Sequence, residues 1–282
     1  MDIIATIPAM QSRADGERHA GRRIALVPTM GFLHEGHLSL VRAARERADV
    51  VVVSLFVNKI QFNDAKDFDT YPRDEARDAA MLASAGTDVL FTPQHEAMYP
   101  PGFQTRVEVD TVTEGLCGAF RPGHFRGVTT VVAKLFHITR PHVAIFGEKD
   151  YQQLVAIQTM ARDLDMGIEV IGLPTVREPD GLAMSSRNVR LSARDREIAR
   201  IIPATLFAAA DAVSEGERRV SAVIDHVSDE FASHPELRVE YIEVVCARTL
   251  ARLTEIDRPA RLAVALHLGG TRLIDNVPLD AP

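Results

Sequence analysis

The feature that most limits how this chain can fold is the alternation of short, wholly apolar runs with amphipathic stretches between Arg23 and Gly172. Residues 24–27 are apolar and stop at Pro28. Residues 38–48 carry Leu38, Val41, Ala44 and Ala48 at helical spacing, and residues 50–57 are again almost entirely apolar. A strand that is apolar at odd and even positions alike is buried on both faces, the condition of a parallel strand covered by helices. The same reading predicts helices over 74–85, 127–139 and 150–165, and strands over 88–91, 142–146 and 168–172. Repeated strand–helix alternation predicts an α/β fold, a doubly wound Rossmann-like parallel sheet. Such a sheet takes its ligands beyond the carboxyl ends of the strands.

The pattern changes near residue 176. Ser192 and Asp195 read as the cap of a long helix that runs through Pro203, with a second helix over 221–233. Residues 237–245, 261–268 and 271–274 read as strands. These predict a smaller α+β C-terminal domain, so the chain divides into 1–176 and 177–282. With 282 residues, 46% of them hydrophobic, there is ample material for two cores.

Composition removes several function classes. A net charge of -7 gives no overall field for holding nucleic acid. Local groups such as helix N-termini, Lys and Arg still capture a nucleotide's phosphates. Cys117 and Cys246 lie far apart in no metal-ligand spacing and read as reduced thiols of a cytoplasmic protein. Residues 1–10 lack a basic and then apolar leader, and no stretch approaches ~18 uninterrupted apolar residues, so neither export nor membrane spanning is expected.

Three segments carry chemistry. Pro28-Thr29-Met30-Gly31-Phe32-Leu33-His34-Glu35-Gly36-His37 joins the first strand to the first helix. His34 and His37 are one helical turn apart, where main-chain N–H groups are unpaired and the helix dipole is positive. Gly36 allows close approach of a phosphate. Two imidazoles there can donate to phosphate oxygens that gain charge during attack at phosphorus. The second segment, Gly147-Glu148-Lys149-Asp150-Tyr151-Gln152-Gln153, follows a strand. Lys149 offers a mobile point charge, and Asp150 can cap a helix or hold a magnesium-bound water. The third, Met184-Ser185-Ser186-Arg187-Asn188, sets two hydroxyls and a guanidinium side by side in a loop suited to polyphosphate. Taken singly, each also reads as an ordinary solvated polar stretch. Neither a Gly-x-Gly-x-x-Gly fingerprint nor a Walker loop is present.

The histidine pair resembles the His-x-Gly-His signature of the nucleotidyltransferase superfamily. In order and spacing, 28–37, 56–62, 67–73, 116–127, 146–154 and 180–188 resemble the pantothenate synthetase (pantoate–β-alanine ligase) family, as does the ending Arg272-Leu273-Ile274-Asp275-Asn276. The resemblance implies an ATP-dependent ligase that activates pantoate as an adenylate and passes it to β-alanine, with Mg²⁺, as a homodimer. It implies an ATP site of Met30, Gly31, Phe32, Leu33, His34, Glu35, Gly36 and His37, completed by Gly147, Glu148, Lys149, Asp150, Val176, Met184, Ser185, Ser186 and Arg187. His37 would be the catalytic proton donor, with His34 its partner and Lys149 a third catalytic group. Gln61 would contact pantoate and β-alanine, Gln153 pantoate, and Asn58 would help shape that pocket. The C-terminal domain would act as a lid. In one departure, Lys59 stands where the family has proline after Asn58, which frees a φ angle and adds a charge.

The residues leave some choices open. Arg121 and Arg126 are both candidates for the β-alanine carboxylate, and His124 beside them reads equally as structural. Rival functions are an adenylyltransferase that keeps AMP on its product, a class I tRNA synthetase and a non-catalytic nucleotide-sensing module. The amides of Gln61 and Gln153 favour carboxylate activation. The short chain without an added basic domain disfavours the tRNA synthetase.

Overall fold

The computed structural model describes residues 1–280, without the side chains of residues 65 and 66. It contains two compact units. One comprises Met1–Asp110, Arg121–Glu148 and Ala156–Pro174; the other comprises Thr111–Phe120, Lys149–Val155 and the chain from Thr175 onward. The last break falls between Pro174 and Thr175, and two short earlier segments group with the second unit.

The chain opens with β1 (Asp2–Ile4), α1 (Ile7–His19), β2 (Ile24–Thr29), α2 (Glu35–Arg45) and β3 (Val50–Leu55). There follow α3 (Ala65–Asp69), α4 (Glu75–Ser84), β4 (Val89–Phe91), α5 (His95–Met98) and α6 (Cys117–Phe120). Then come α7 (His124–Thr139), β5 (Val143–Gly147), α8 (Tyr151–Asp163) and β6 (Glu169–Leu173). In the first unit all six strands are parallel, in the order β1-β4-β3-β2-β5-β6. β2 sits between β3 and β5, so the chain winds away from it in both directions, and ligand crevices form at such a switch point. All six residues of β3 are buried, five of them apolar and the sixth Ser54, as a strand covered on both faces requires.

α1 has no counterpart in the sequence reading because it hides so little. Met10, Ala14 and Glu17 are its only buried residues, and Glu17 is paired with Arg13 and Arg22.

The second unit carries α9 (Ala193–Ala199), α10 (Ile201–Ser214), α11 (Val220–Ala232), β7 (Arg238–Cys246), β8 (Ala260–Leu268) and β9 (Thr271–Leu279). Its three strands form an antiparallel sheet ordered β7-β8-β9. Leu206, Val227 and Phe231 of the helices pack with Leu262, Leu266 and Val277 of the strands. Two expectations need correction. The single long helix is two, because in a continuous helix the Pro203 ring would strike the Ala199 carbonyl four residues back, and α9 stops at Ala199. The last strand extends past residue 274 through the buried pair Asp275 and Asn276 to Leu279. Pro278 is tolerated there because β9 is an edge strand.

Candidate active site

In the first unit the segment between β2 and α2 is held from below by one carboxylate. Asp78 of α4, 1% exposed, accepts from the main-chain N–H of Phe32 at 2.6 Å and of Leu33 at 2.8 Å. Its neighbour Arg77 donates to the Leu33 carbonyl at 3.0 Å and lies over the Phe32 ring. Thr29 Oγ1 donates to the Ser54 carbonyl and accepts from Gly31 N–H. Gly31 has φ +84°, and a Cβ there would lie 3.1 Å from the Asp78 carboxylate, so both the backbone and the space require glycine. Phe32 follows at φ 50°. Non-glycine residues rarely take that conformation unless their surroundings impose it.

This turn delivers His34 to the N-cap of α2 and His37 to its first turn. Their ring centroids are 4.1 Å apart. The His34 main-chain N–H donates to His37 Nδ1 at 3.3 Å. A neutral His37 that accepts at Nδ1 carries its proton on Nε2, so the opposite edge of the ring is a donor. Glu35 is exposed and paired with Arg42.

A second group in the same unit surrounds the 3₁₀ turn Lys59–Gln61. Asn58, 1% exposed, receives a hydrogen bond from Tyr99 OH on Oδ1 at 2.8 Å. Asn58 Nδ2 donates to Gln61 Oε1 at 2.9 Å and to the Gly127 carbonyl at 3.1 Å. Gln61 Nε2 meets Met30 Sδ at 3.3 Å, which ties this turn to the histidine segment. The Gln61 carbonyl is met by His124 Nδ1 at 2.8 Å and by Arg121 at 3.3 Å. His124 is buried and holds that carbonyl in place, a structural task. A Cβ on Gly127 would come within 2.6 Å of the Ile60 carbonyl, so only glycine lets α7 approach this turn. The turn forms without the family's proline, and the Lys59 ammonium lies over the Phe68 ring, which Arg73 also faces. Arg121 is engaged with Gln61 and His124, whereas Arg126 is exposed on α7. Gly147 ends β5, next to β2 in the sheet, and Glu148 follows it.

The second unit organises the remaining segments. Lys149 lies 3.7 Å from the Asp150 carboxylate, and its main-chain carbonyl accepts from Asn276 Nδ2 at 3.0 Å. Asp275 makes a two-pronged ion pair with Arg177 at 2.7 and 2.9 Å. The buried Asp-Asn pair of β9 thus anchors the predicted Lys149 segment and Arg177, the residue after Val176. Val176 and Met184 face each other, with Met184 N–H donating to the Val176 carbonyl at 3.0 Å. Ser185 caps a 3₁₀ turn over Ser186–Arg190 by accepting from Arg187 N–H, and Ser186 is buried. Behind this loop Arg196 holds Glu178 at 2.9 Å and Asp180 at 2.6 Å, and Asn188 donates to Glu178. Burial would raise the Asp180 pKa, but the Leu182 N–H and the Arg196 guanidinium together hold it below the usual carboxylate range. Gln153 is half-buried in the first turn of α8, and its neighbour Gln152 donates to the carbonyls of Val112 and Gly115.

Sequence reasoning missed Asp78, Arg77 and Tyr99. For Asp78 a signal existed: it lies one turn before the buried Leu82, on the inward face of α4.

Among the described residues no three His, Cys, Asp or Glu side chains gather as a metal site, and no helix is long and apolar enough to cross a membrane.

A parallel α/β sheet with two histidines at the turn from β2 into α2 is the arrangement expected of an α/β nucleotide-binding enzyme of the His-x-Gly-His type that the sequence resembles. A sequence profile of the family described as pantoate-beta-alanine ligase matches residues 2–278. The chain is 50% identical over 276 residues to the pantothenate synthetase of Syntrophotalea carbinolica, covering 98% of each. It is 50% identical over 280 residues to that of Moorella thermoacetica, covering 99% of each. The crystal structure of pantothenate synthetase from Thermus thermophilus matches at TM-score 0.94 and 44% identity, covering 100% of both chains. The pantoate-beta-alanine ligase of Francisella tularensis, complexed with beta-gamma ATP and beta-alanine, matches at TM-score 0.79 and 35% identity, covering 98% of this chain and 97% of that one. The chain belongs to the pantoate–β-alanine ligase family.

Proposed function

We propose that this chain condenses pantoate with β-alanine and consumes ATP, giving pantothenate, AMP and pyrophosphate through a pantoyl adenylate. The observation that carries this reading is the histidine turn itself, held by Asp78 and presenting His37 Nε2 as a donor, in a chain of this family.

In the first step a pantoate carboxylate oxygen bonds to the α-phosphorus of ATP, and the bond to the bridging oxygen breaks to release pyrophosphate. Negative charge grows on the phosphate oxygens. His37 donates from Nε2, His34 stands beside it, and the N–H groups at the start of α2 add their dipoles. Met30 to His37 would cradle the nucleotide with Gly147, Glu148, Val176 and Met184. Lys149, Ser185, Ser186 and Arg187 would supply cationic and hydroxyl donors to the phosphates. In the second step the β-alanine amine attacks the activated carbonyl, loses a proton, and AMP leaves with the electrons of the broken C–O bond. No enzyme nucleophile is needed.

Gln61 would donate to pantoate and β-alanine, Gln153 to pantoate, and Asn58 would act by holding Gln61. Arg126 is the better candidate for the β-alanine carboxylate, because Arg121 already bonds to Gln61 and His124. The donor set suits Mg²⁺ held chiefly by substrate phosphates and water, with the Asp150 carboxylate meeting a bound water. The ion would neutralise charge on the phosphates. The C-terminal domain, 177–282, would serve as a lid, and the enzyme would be a cytoplasmic homodimer.

The test is AMP release assayed with ATP, pantoate and β-alanine, omitting each in turn. Free AMP and an amide product that require all three are expected. A product that keeps the nucleotide would favour an adenylyltransferase instead.

A further inference from the structure

Tyr99 and the buried amide of Asn58 belong to no segment assigned to ATP above, yet they form a polar relay that ends on Gln61. The relay has one direction. The Gly127 carbonyl can only accept, so the Asn58 group facing it at 3.1 Å must be Nδ2. Oδ1 then faces Tyr99, whose hydroxyl must donate at 2.8 Å. The second N–H of Nδ2 goes to Gln61 at 2.9 Å, so the atom of Gln61 there must be Oε1. Nε2 of Gln61 is thereby turned towards Met30, whose thioether is a weak acceptor at 3.3 Å. That leaves the Gln61 amide with N–H capacity for a ligand oxygen.

The surroundings keep the phenol in place. The Phe56, His95 and Phe103 rings lie 6.2, 5.4 and 5.2 Å from Tyr99, centroid to centroid. The Lys134 ammonium stands over its face at 6.0 Å. Burial pushes the phenol pKa up, so the hydroxyl keeps its proton throughout the range in which the enzyme works.

We infer that Tyr99 is a positioning residue: through Asn58 it fixes the Gln61 amide with its N–H face outward, as a donor to the carboxylate or hydroxyl oxygens of pantoate. This rests on the ligase reading. Without the phenol hydroxyl, Asn58 Oδ1 lacks its donor, and the amide pair is no longer held in one orientation.

The test is steady-state kinetics of the full-length Tyr99→Phe enzyme, with pantoate and ATP varied separately. The KM for pantoate should rise about five- to tenfold, the loss expected for one hydrogen bond, with the KM for ATP unchanged. In a Gln61→Ala background the same substitution should add nothing to the pantoate KM, whereas a structural role for Tyr99 would leave the two effects independent. Asn58→Asp, isosteric but without donors, should raise the pantoate KM further than Tyr99→Phe and spare ATP, which covers the case in which Tyr99→Phe folds poorly. An unchanged pantoate KM, equal losses for both substrates, or full additivity with Gln61→Ala would overturn the assignment. Absence of AMP release by the unaltered enzyme would instead remove the ligase reading, and this one with it.

Discussion

The two regions proposed to hold ATP are built on different physics. The Met30–His37 segment rests on a single buried carboxylate that accepts two main-chain N–H bonds, with positive φ angles at Gly31 and Phe32. The segment from Val176 to Arg190 rests on ion pairs: Arg177 with the buried Asp275 at one end, and Arg196 with Glu178 and Asp180, which remain partly open to water, behind the loop. Charge-assisted bonds in a dry site are strong and costly to leave unmade. Partly exposed ion pairs contribute little singly and are screened by salt. The first region is therefore suited to holding a fixed cradle for the reacting phosphate. The part of the second held by Arg196 is suited to adjusting as a nucleotide arrives.

That contrast breaks most visibly at the histidines. His37→Ala should lower turnover by about 100-fold or more, as for loss of a positioned donor to a developing charge, with the circular dichroism unchanged. Near-normal adenylate formation would remove His37 from the mechanism.

Asp78→Ala comes next. It leaves two N–H groups in the turn without an acceptor, so unfolding free energy should fall by about 2–4 kcal/mol, and kcat/KM for ATP should fall with it. Denaturant titration together with ATP kinetics checks both. An Asp78 variant with unaltered ATP kinetics would show that the cradle does not depend on its anchor.

Arg196→Ala should cost only about 1 kcal/mol in the same titration. The cost should shrink in high salt, whereas that of Asp78→Ala should not. Equal costs would erase the distinction between the two regions.

The smallest effect concerns acid. Because the folded-state Asp180 pKa is lowered, its stabilisation is complete above the unfolded value of about 3.9 and is lost as pH falls through the folded one. Asp180→Asn should lower Tm slightly near neutrality, where the pairing is fully present, and flatten the fall of Tm below about pH 4. A Tm profile that stays parallel to that of the unaltered enzyme throughout this range would take Asp180 out of the acid response.

Much of the frame was legible in the sequence, for a physical reason. Strands β2 and β3 are buried on both faces, so their composition alone betrays them, and Gly36 with the paired histidines marks the turn between β2 and α2. What stayed hidden depends on long-range contacts. α1 buries too few residues to show a face. Asp78 stands among Asp74, Glu75 and Arg77; its spacing to Leu82 marks the inward face, but only folding brings the Phe32 and Leu33 N–H groups to it. Tyr99 lies 41 residues from Asn58, and nothing local marks the bond between them. Asp275 and Asn276 interrupt an apolar run, so they read as the end of a strand, although they are buried within β9 and tie down Arg177 and Lys149.

The most direct measurement is the fate of oxygen in the pantoate carboxylate. With both carboxylate oxygens labelled as ¹⁸O, attack on the α-phosphorus predicts that one label leaves on the phosphate of AMP and the other stays in the amide. Unlabelled AMP alongside labelled product would contradict a pantoyl adenylate, and with it the role given to the histidine turn.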